Sequence, residues 1–314
     1  MKQIILHSGL QVPPALVTRI AGWPHEADVT PGWLAALPAA VEQICARWEV
    51  ELHPTVHESM MTLVVPGDSH LLGPVILKAS PLADEFRSEV AALKLAAAPN
   101  VARVYDDDLV HGIVLMERIL PGTQLRHVSL SDDEATRIGA TNVMSMWRPV
   151  AEPDGLHPLP RWMRDLFHWV PAPELIPADL VRDAQDVARS LLETSPAASL
   201  LHGDFQHQNL LQRGEDDWVI IDPKGLVGDP GFDIAAWMYN PLGITANGGY
   251  RDIAARRVAI WSDVTGLDRH RLAGWAFCGT VLSTCWSAAG LGESRPSWLK
   301  HNVRAADELR HLLG

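Results

Sequence analysis

The stretch TPGWLAALPAAVEQICARWEVEL (30–52) carries apolar residues at helical spacing, with Thr30 as cap and Pro31 at the first helical position. Two apolar runs of strand character follow, MMTLVV (60–65) and PVILKAS (74–80). The turn-rich connector PGDSHLLG lies between them, so the pattern predicts an antiparallel hairpin. In DEFRSEVAALKLAAA (84–98) the spacing of Phe86, Val90, Leu93 and Ala97 predicts a helix. GIVLMERIL (112–120) reads as a strand that stops at Pro121-Gly122. Beyond it the pattern turns helical. Ser131 and Glu134 form a capping-box pair that opens a helix over 131–148, and a second helix is expected over 179–194. The Pro-rich segment 153–178 between them is expected to run over the surface. Short strands are expected at 210–211 and 218–222, and helices dominate from Asp233 onward.

A length of 314 residues, at roughly 150 per domain, suggests two domains. The pattern divides them. Residues 1–116 form a β-containing N-terminal lobe with a leading helical segment, 117–122 a hinge, and 123–314 a mostly helical lobe. The uncharged stretch from Leu272 to Gly292 holds eight Gly, Ser or Thr residues. It is expected to be a buried helix rather than a membrane span.

Charge narrows the partners. The net charge is −12, and residues 1–116 and 117–314 each contribute −6. No basic half exists to grip nucleic acid or anionic lipid, whereas a cationic small molecule suits the field. Cys45, Cys278 and Cys285 lack any CxxC spacing and read as buried free thiols. The N-terminus shows no secretory pattern, so a cytoplasmic monomer without membrane or nucleic-acid partners is expected. Asp106-Asp107-Asp108 reads as a solvated turn, and Trp286, near the end of the uncharged stretch, as a core residue, with the wall of an acceptor pocket as the alternative.

The chemistry concentrates in residues 200–237. His202-Gly203-Asp204 is followed by Asn209 five residues after the Asp, and by Asp222 thirteen after the Asn. An Asp and an Asn at this spacing converge on one point: the Asp can accept a hydroxyl proton while the Asn offers an oxygen to a hard cation. Asp222, at the end of the next strand, completes an oxygen site suited to Mg²⁺. Phosphoryl transfer needs such a set, because it works by positioning and charge neutralisation. The spacing matches the kinase catalytic-loop pattern H-R-D-x-x-x-x-N, with Gly203 in place of Arg and Ile221-Asp222-Pro223 in place of D-F-G. Upstream, Lys78 ends an apolar strand, and Glu89 on the following helix can hold it, with Glu85 in reserve. No A-P-E segment follows Asp222, which argues against a protein kinase.

The segments HGDFQHQNLL and WVIIDPKGLVGDPGFDIA resemble the aminoglycoside phosphotransferase superfamily, in its streptomycin 6-phosphotransferase and hydroxyurea phosphotransferase branch. GWLAALPAAVEQICARW, SEVAALKL, VLMERILPGTQL and GWAFCGTVLSTCW continue the resemblance, which spans about residue 30 to about residue 310. It implies an α+β, bilobal protein-kinase-like fold that uses ATP and Mg²⁺. Asp204 would be the catalytic base and Asn209 and Asp222 the metal ligands. Lys78 would hold the α- and β-phosphates with Glu89 as its partner, and the backbone of Glu117 to Ile119 would read the adenine. Asp233 would tie the catalytic loop. Two departures stand out. Gln206 replaces the His that follows HGD-x in the family, and Glu58-Ser59-Met60-Met61 stands where a Gly-rich loop would lie, leaving backbone N–H groups and Ser59 to cradle phosphate. The implied reaction is transfer of the ATP γ-phosphate to a hydroxyl of streptomycin-type aminoglycosides or of hydroxyurea. The alternatives are another small hydroxyl acceptor, a nucleotide-binding regulator without turnover, or a metal hydrolase built on His202, Asp204 and Asp222.

Overall fold

A computed structural model describes residues 4–6, 9–22, 29, 32–58, 61–151, 154–170, 172–241, 243–246, 249–289 and 297–314. The N-terminal part contains α1 (Pro14–Ala21), α2 (Trp33–Trp48), β1 (Val50–Leu52), β2 (His57–Glu58), β3 (Leu63–Ser69), β4 (Gly73–Ala79), α3 (Ala83–Ala96), β5 (Val104–Asp108) and β6 (Ile113–Glu117). The strands form one antiparallel sheet in the order β1-β3-β4-β6-β5, with β2 on the β3 side. The expected hairpin is present. Its ladder runs from Leu63 opposite Ala79 to Ser69 opposite Gly73, so most of the connector belongs to the strands. Ser69 Oγ accepts from the N–H groups of Leu71 and Leu72, each at 3.1 Å, and closes the short turn. Thr30 and Pro31 lie outside the described residues.

Side chains alternate across this sheet, and the alternation aims the site. Leu63, Val65, Val75, Leu77, Ala79, Ile113 and Leu115 share one core with Leu37, Val41 and Ile44 of α2. Ile76, Val114 and Met116 point the other way and pack with Phe86, Val90 and Leu93 of α3. Lys78 falls on this second face, beside Val114 in the register. Its ammonium is therefore directed toward α3 and the helical lobe.

The acidic run 106–108 is part of β5 rather than a solvated turn, because β6 pairs with it and neighbouring elements supply the partners. Asp106 accepts from Arg47 (2.6 Å) and Trp48 (2.7 Å), Lys94 pairs with Asp107, and His111 lies 2.6 Å from Asp108.

The helical lobe holds α4 (Asp132–Val143), α5 (Leu159–Trp162), α6 (Arg164–Phe167), α7 (Ala178–Glu193), α8 (Ile234–Met238), α9 (Tyr250–Thr265), α10 (Arg269–Ala289) and α11 (Ser297–Arg310). Six short strands lace through it: β7 (Thr123–Gln124), β8 (His157–Pro158), β9 (Ser199–Leu201), β10 (Leu210–Gln212), β11 (Trp218–Ile220) and β12 (Leu226–Gly228). They make two three-stranded sheets, β11-β10-β7 and β8-β12-β9. Both sheets frame residues 202–225. The capping box at Ser131 and Glu134 is formed in full.

The Pro-rich segment keeps largely to the surface, as expected, but is anchored at intervals. Its apolar residues alternate with prolines that start helices, so Leu159, Met163, Leu166 and Ile176 enter the core while β8 pairs with β12. From Leu272 onward helix α10 is buried along most of its length, as the uncharged stretch requires. Among the described residues no helix is long and apolar enough to cross a membrane. All three cysteines are free and buried.

Candidate active site

Lys78 Nζ donates to Glu89 Oε1 at 2.5 Å and to Asp222 Oδ1 at 2.9 Å. Residues from a strand, a helix and a distant loop thus share one charge cluster. Burial opposes the ammonium, but Asp222 and Glu89 outweigh it and hold the Lys78 pKa above its ordinary value. Burial likewise opposes the charge on Asp222, yet Lys78 keeps that carboxyl below its usual range. Glu89 is pushed up by burial, with Lys78 offsetting part of the shift. The second acidic residue of α3, Glu85, turns instead to Lys224, 3.5 Å away.

The loop after β9 is pinned through its backbone. Asp233 Oδ1 accepts from the Gly203 N–H at 2.7 Å, and its Oδ2 from His202 N–H at 3.1 Å and from Trp147 Nε1 at 2.9 Å. His202 is fully buried. Its Nδ1 accepts from the Asp204 N–H (3.2 Å) and its Nε2 donates to the Ile221 carbonyl (2.9 Å). Both ring nitrogens are committed to the backbone and the ring is fully buried, so His202 is a strut rather than a metal ligand; burial also lowers its pKa to about 4 and keeps it neutral. That removes the hydrolase alternative. Gly203 has φ +82°, and a Cβ there would lie 2.5 Å from Leu226, so no side chain fits at this turn.

Asp204 is half-buried, and burial raises its pKa to about 6 against the opposing pull of Lys224 and Gln206. Gln206 Nε2 donates to both carboxylate oxygens of Asp204, each at 3.1 Å. The departure from the family pattern therefore falls on the residue that orients the base. Asn209 Nδ2 donates to the Asp204 carbonyl at 2.9 Å, and among the described residues nothing donates to its Oδ1. Asp222 adopts a left-handed backbone (φ +56°), a conformation that Asp tolerates.

Two cavities flank Asp204. One, of about 140 Å³, is lined by Lys78, Glu89, Asn209 and Asp222. The other, of about 270 Å³, is bounded by Trp162, Phe232, Tyr239, Ser283 and Trp286. Trp286 is not a core residue: it is 39% exposed, packs edge-on to Trp162 at 5.4 Å and donates to Asp165. Its place near the end of α10, where the helix leaves the core, puts it at the cavity wall.

Of the expected site residues, the fold brings Lys78, Glu89, Asp204, Asn209 and Asp222 together. Glu117 and Ile119 lie at the end of β6 outside the smaller cavity. The Glu117 carboxylate takes Arg213 at 3.2 Å, and Ile119 is buried. Ser59 lies outside the described residues. Lys224, Tyr239 and Trp162 were not singled out by the sequence, because each acquires its place only through a partner in space; Gln206 was marked as a departure, but its contact with the base is visible only in the fold.

A sheet-and-helix lobe set against a helical lobe, with a Lys–Glu pair, a loop Asp and Asn, and a strand-end Asp between them, defines a kinase-like phosphotransferase. Residues 47–290 match the family described as aminoglycoside/hydroxyurea antibiotic resistance kinase. The chain belongs to that family and is an ATP-dependent phosphotransferase of the antibiotic-resistance class. It is 30% identical over 277 residues to a streptomycin 6-kinase of Streptomyces griseus, covering 84% of this chain and 88% of that protein. It is 32% identical over 243 residues to a streptomycin 3''-kinase of Klebsiella pneumoniae, covering 74% and 85%. Its fold is similar to an aminoglycoside phosphotransferase solved as a ternary complex with ADP and hygromycin B. The TM-score is 0.58 at 13% identity, over 87% of this chain and 97% of the other.

Proposed function

We propose that this chain transfers the ATP γ-phosphate to a hydroxyl of a small antibiotic molecule, either a streptomycin-type aminoglycoside or hydroxyurea. In this reading residues 1–116 bind the nucleotide, 117–122 are the hinge, and 123–314 carry the catalytic loop and acceptor pocket of a monomer. The observation that carries it is the meeting of Lys78, Asn209 and Asp222 in one cavity, with Asp204 open to a second cavity beside it. The acidic field of the chain, net −12, favours an acceptor bearing positive charge.

Each residue has a role in this scheme. Asp204 accepts the acceptor's hydroxyl proton, and Gln206 aims its carboxylate. Lys78, straightened by Glu89, neutralises the α- and β-phosphates. The adenine edge is read by backbone groups from Glu117 to Ile119, and Ser59 helps to cradle phosphate. Asn209 Oδ1 and the Asp222 oxygen not engaged by Lys78 are hard donors on one cavity, which suits Mg²⁺. When bound there, that ion supplies charge neutralisation between the phosphates.

The test is a transfer screen with radiolabelled ATP against streptomycin, other aminoglycosides, hydroxyurea and amino sugars. Labelled streptomycin or hydroxyurea is expected. Tight ATP binding with no labelled antibiotic would overturn the assignment in favour of another hydroxyl acceptor.

A further inference from the structure

The cavity holding Lys78, Asn209 and Asp222 and the cavity walled by the tryptophans are separate spaces with a common border. Among the described residues, two line both: Asp204 and Lys224. The first is the base of the proposed reaction. The second has no role in it so far.

The backbone of Lys224 is fixed. Its N–H donates to the His202 carbonyl at 2.7 Å, and its carbonyl accepts from Ser88 Oγ at 2.8 Å. The next residue, Gly225, has φ +65°, and a Cβ there would sit 2.3 Å from the Ser88 carbonyl oxygen. The Lys224 stem rises beside the Gly203 turn, 3.2 Å from where a Cβ on Gly203 would be. The ammonium end is much less constrained. Its ion pair with Glu85 is long, at 3.5 Å, and both side chains are partly exposed. Such a pair holds its members weakly. The result is a cation on a fixed base with a weakly held tip, at the border that the two cavities share.

We propose that Lys224 is a second catalytic cation, whose ammonium contacts the γ-phosphoryl group as that group moves from nucleotide to acceptor. The proposal rests on the kinase reading above. In the step, the bond between the γ-phosphorus and the bridging oxygen breaks, and that oxygen leaves with the electron pair as part of ADP. The acceptor oxygen forms the new bond to phosphorus, and its proton passes to Asp204. Charge in transit spreads over the three equatorial oxygens of the phosphoryl group. Lys78 sits on the nucleotide side of that group. Lys224 neutralises the same charge from the acceptor side, and neither gives nor takes a proton.

The test compares Lys224→Met and Lys224→Arg with the wild-type chain. Turnover with an acceptor found in the transfer screen is measured alongside ADP affinity and the tightening of ADP caused by aluminium fluoride with acceptor, a mimic of the group in transit. Lys224→Met is expected to lower kcat by about 100-fold or more and to lose the fluoride-dependent tightening, with ADP affinity kept. Lys224→Arg, which keeps the charge and guards against a folding defect, is expected to restore at least about a tenth of the wild-type rate. A Lys224→Met enzyme with wild-type kcat and wild-type tightening overturns the proposal, as does a parallel loss of ADP affinity. A wild-type chain that binds ADP but neither labels any acceptor nor tightens with fluoride overturns the kinase reading, and this proposal with it.

Discussion

Asp204 shows how one carboxyl is tuned by its neighbours. Burial lifts its pKa to about 6, while Lys224 and the Gln206 amide pull it down. A base must be ionised to act, so kcat/KM is expected to fall as pH drops through about 6, about tenfold per unit below it. Replacing Gln206 by Leu removes a donor that favours the ionised form. The acid limb of that profile should then move to higher pH, and an unmoved limb would mean that the hydrogen bond does not tune the base. Asp204→Asn should lower kcat by about a thousandfold or more while leaving ADP affinity nearly unchanged, as calorimetry can check. At this scale the sequence was informative where a role depends on spacing along the chain, as for Asp204, Asn209 and Asp222. It marked Gln206 as a departure but did not give its role, which appears only when its amide is seen against the carboxylate.

The catalytic loop is an element held from two sides. Asp233 grips the backbone of His202 and Gly203, as expected from the sequence. The opposite grip comes from Trp237, fully buried in α8, which stacks on His207 at 3.8 Å and on Phe205 at 5.6 Å. Trp237 is in turn anchored by Arg257 of α9. The Arg257 guanidinium, wholly buried, donates to the carbonyls of Trp237 (2.6 Å) and Asn240 (2.7 Å) and pairs with Asp132 (2.5 Å) at the start of α4. Removing one member of such a cluster strands the others without partners. Arg257→Met is therefore expected to lose about 3–5 kcal/mol of unfolding free energy in a denaturant titration. A loss below about 1 kcal/mol would show that the cluster relaxes or admits water. No pattern along the chain announces this link, since Arg257 and Asp132 are 125 residues apart.

Across the whole molecule, acid stability is set by buried histidines and carboxyls that work in opposite directions. Burial holds His202 at about 4 and His207 at about 3, so the fold resists their protonation while the unfolded chain accepts it near 6.5. Their contribution to stability is lost as pH falls below 6.5. Asp204 and Asp233 are both raised to about 6, so the folded chain binds those protons first and gains stability over the range from about 6 to 3.8. Replacing His207 by Gln removes one histidine from the balance. The stability gap between variant and wild type should shrink by about 1–2 kcal/mol from pH 7 to pH 5, as paired denaturant titrations would measure. A gap independent of pH would mean that His207 already accepts a proton in the fold.

Much of this protein was determined by local rules. Apolar periodicity placed the hairpin, the helix after it and the joint strand, because the periods of strand and helix are properties of the backbone. Alternation along β4 also put Lys78 on the face opposite Leu77 and Ala79. The spacing of Asp204, Asn209 and Asp222 named the chemistry, since one loop and one short hairpin hold all three. Tertiary structure decided what depends on distant partners. It chose Glu89 over Glu85 for Lys78 and turned an acidic run into a paired strand. It anchored the Pro-rich segment through Leu159, Met163, Leu166 and Ile176 and placed Trp286 at a cavity wall. It also set Lys224 on the border between two cavities. Each of those outcomes rests on contacts between segments far apart in the chain, and residue order does not encode such contacts until the core has closed.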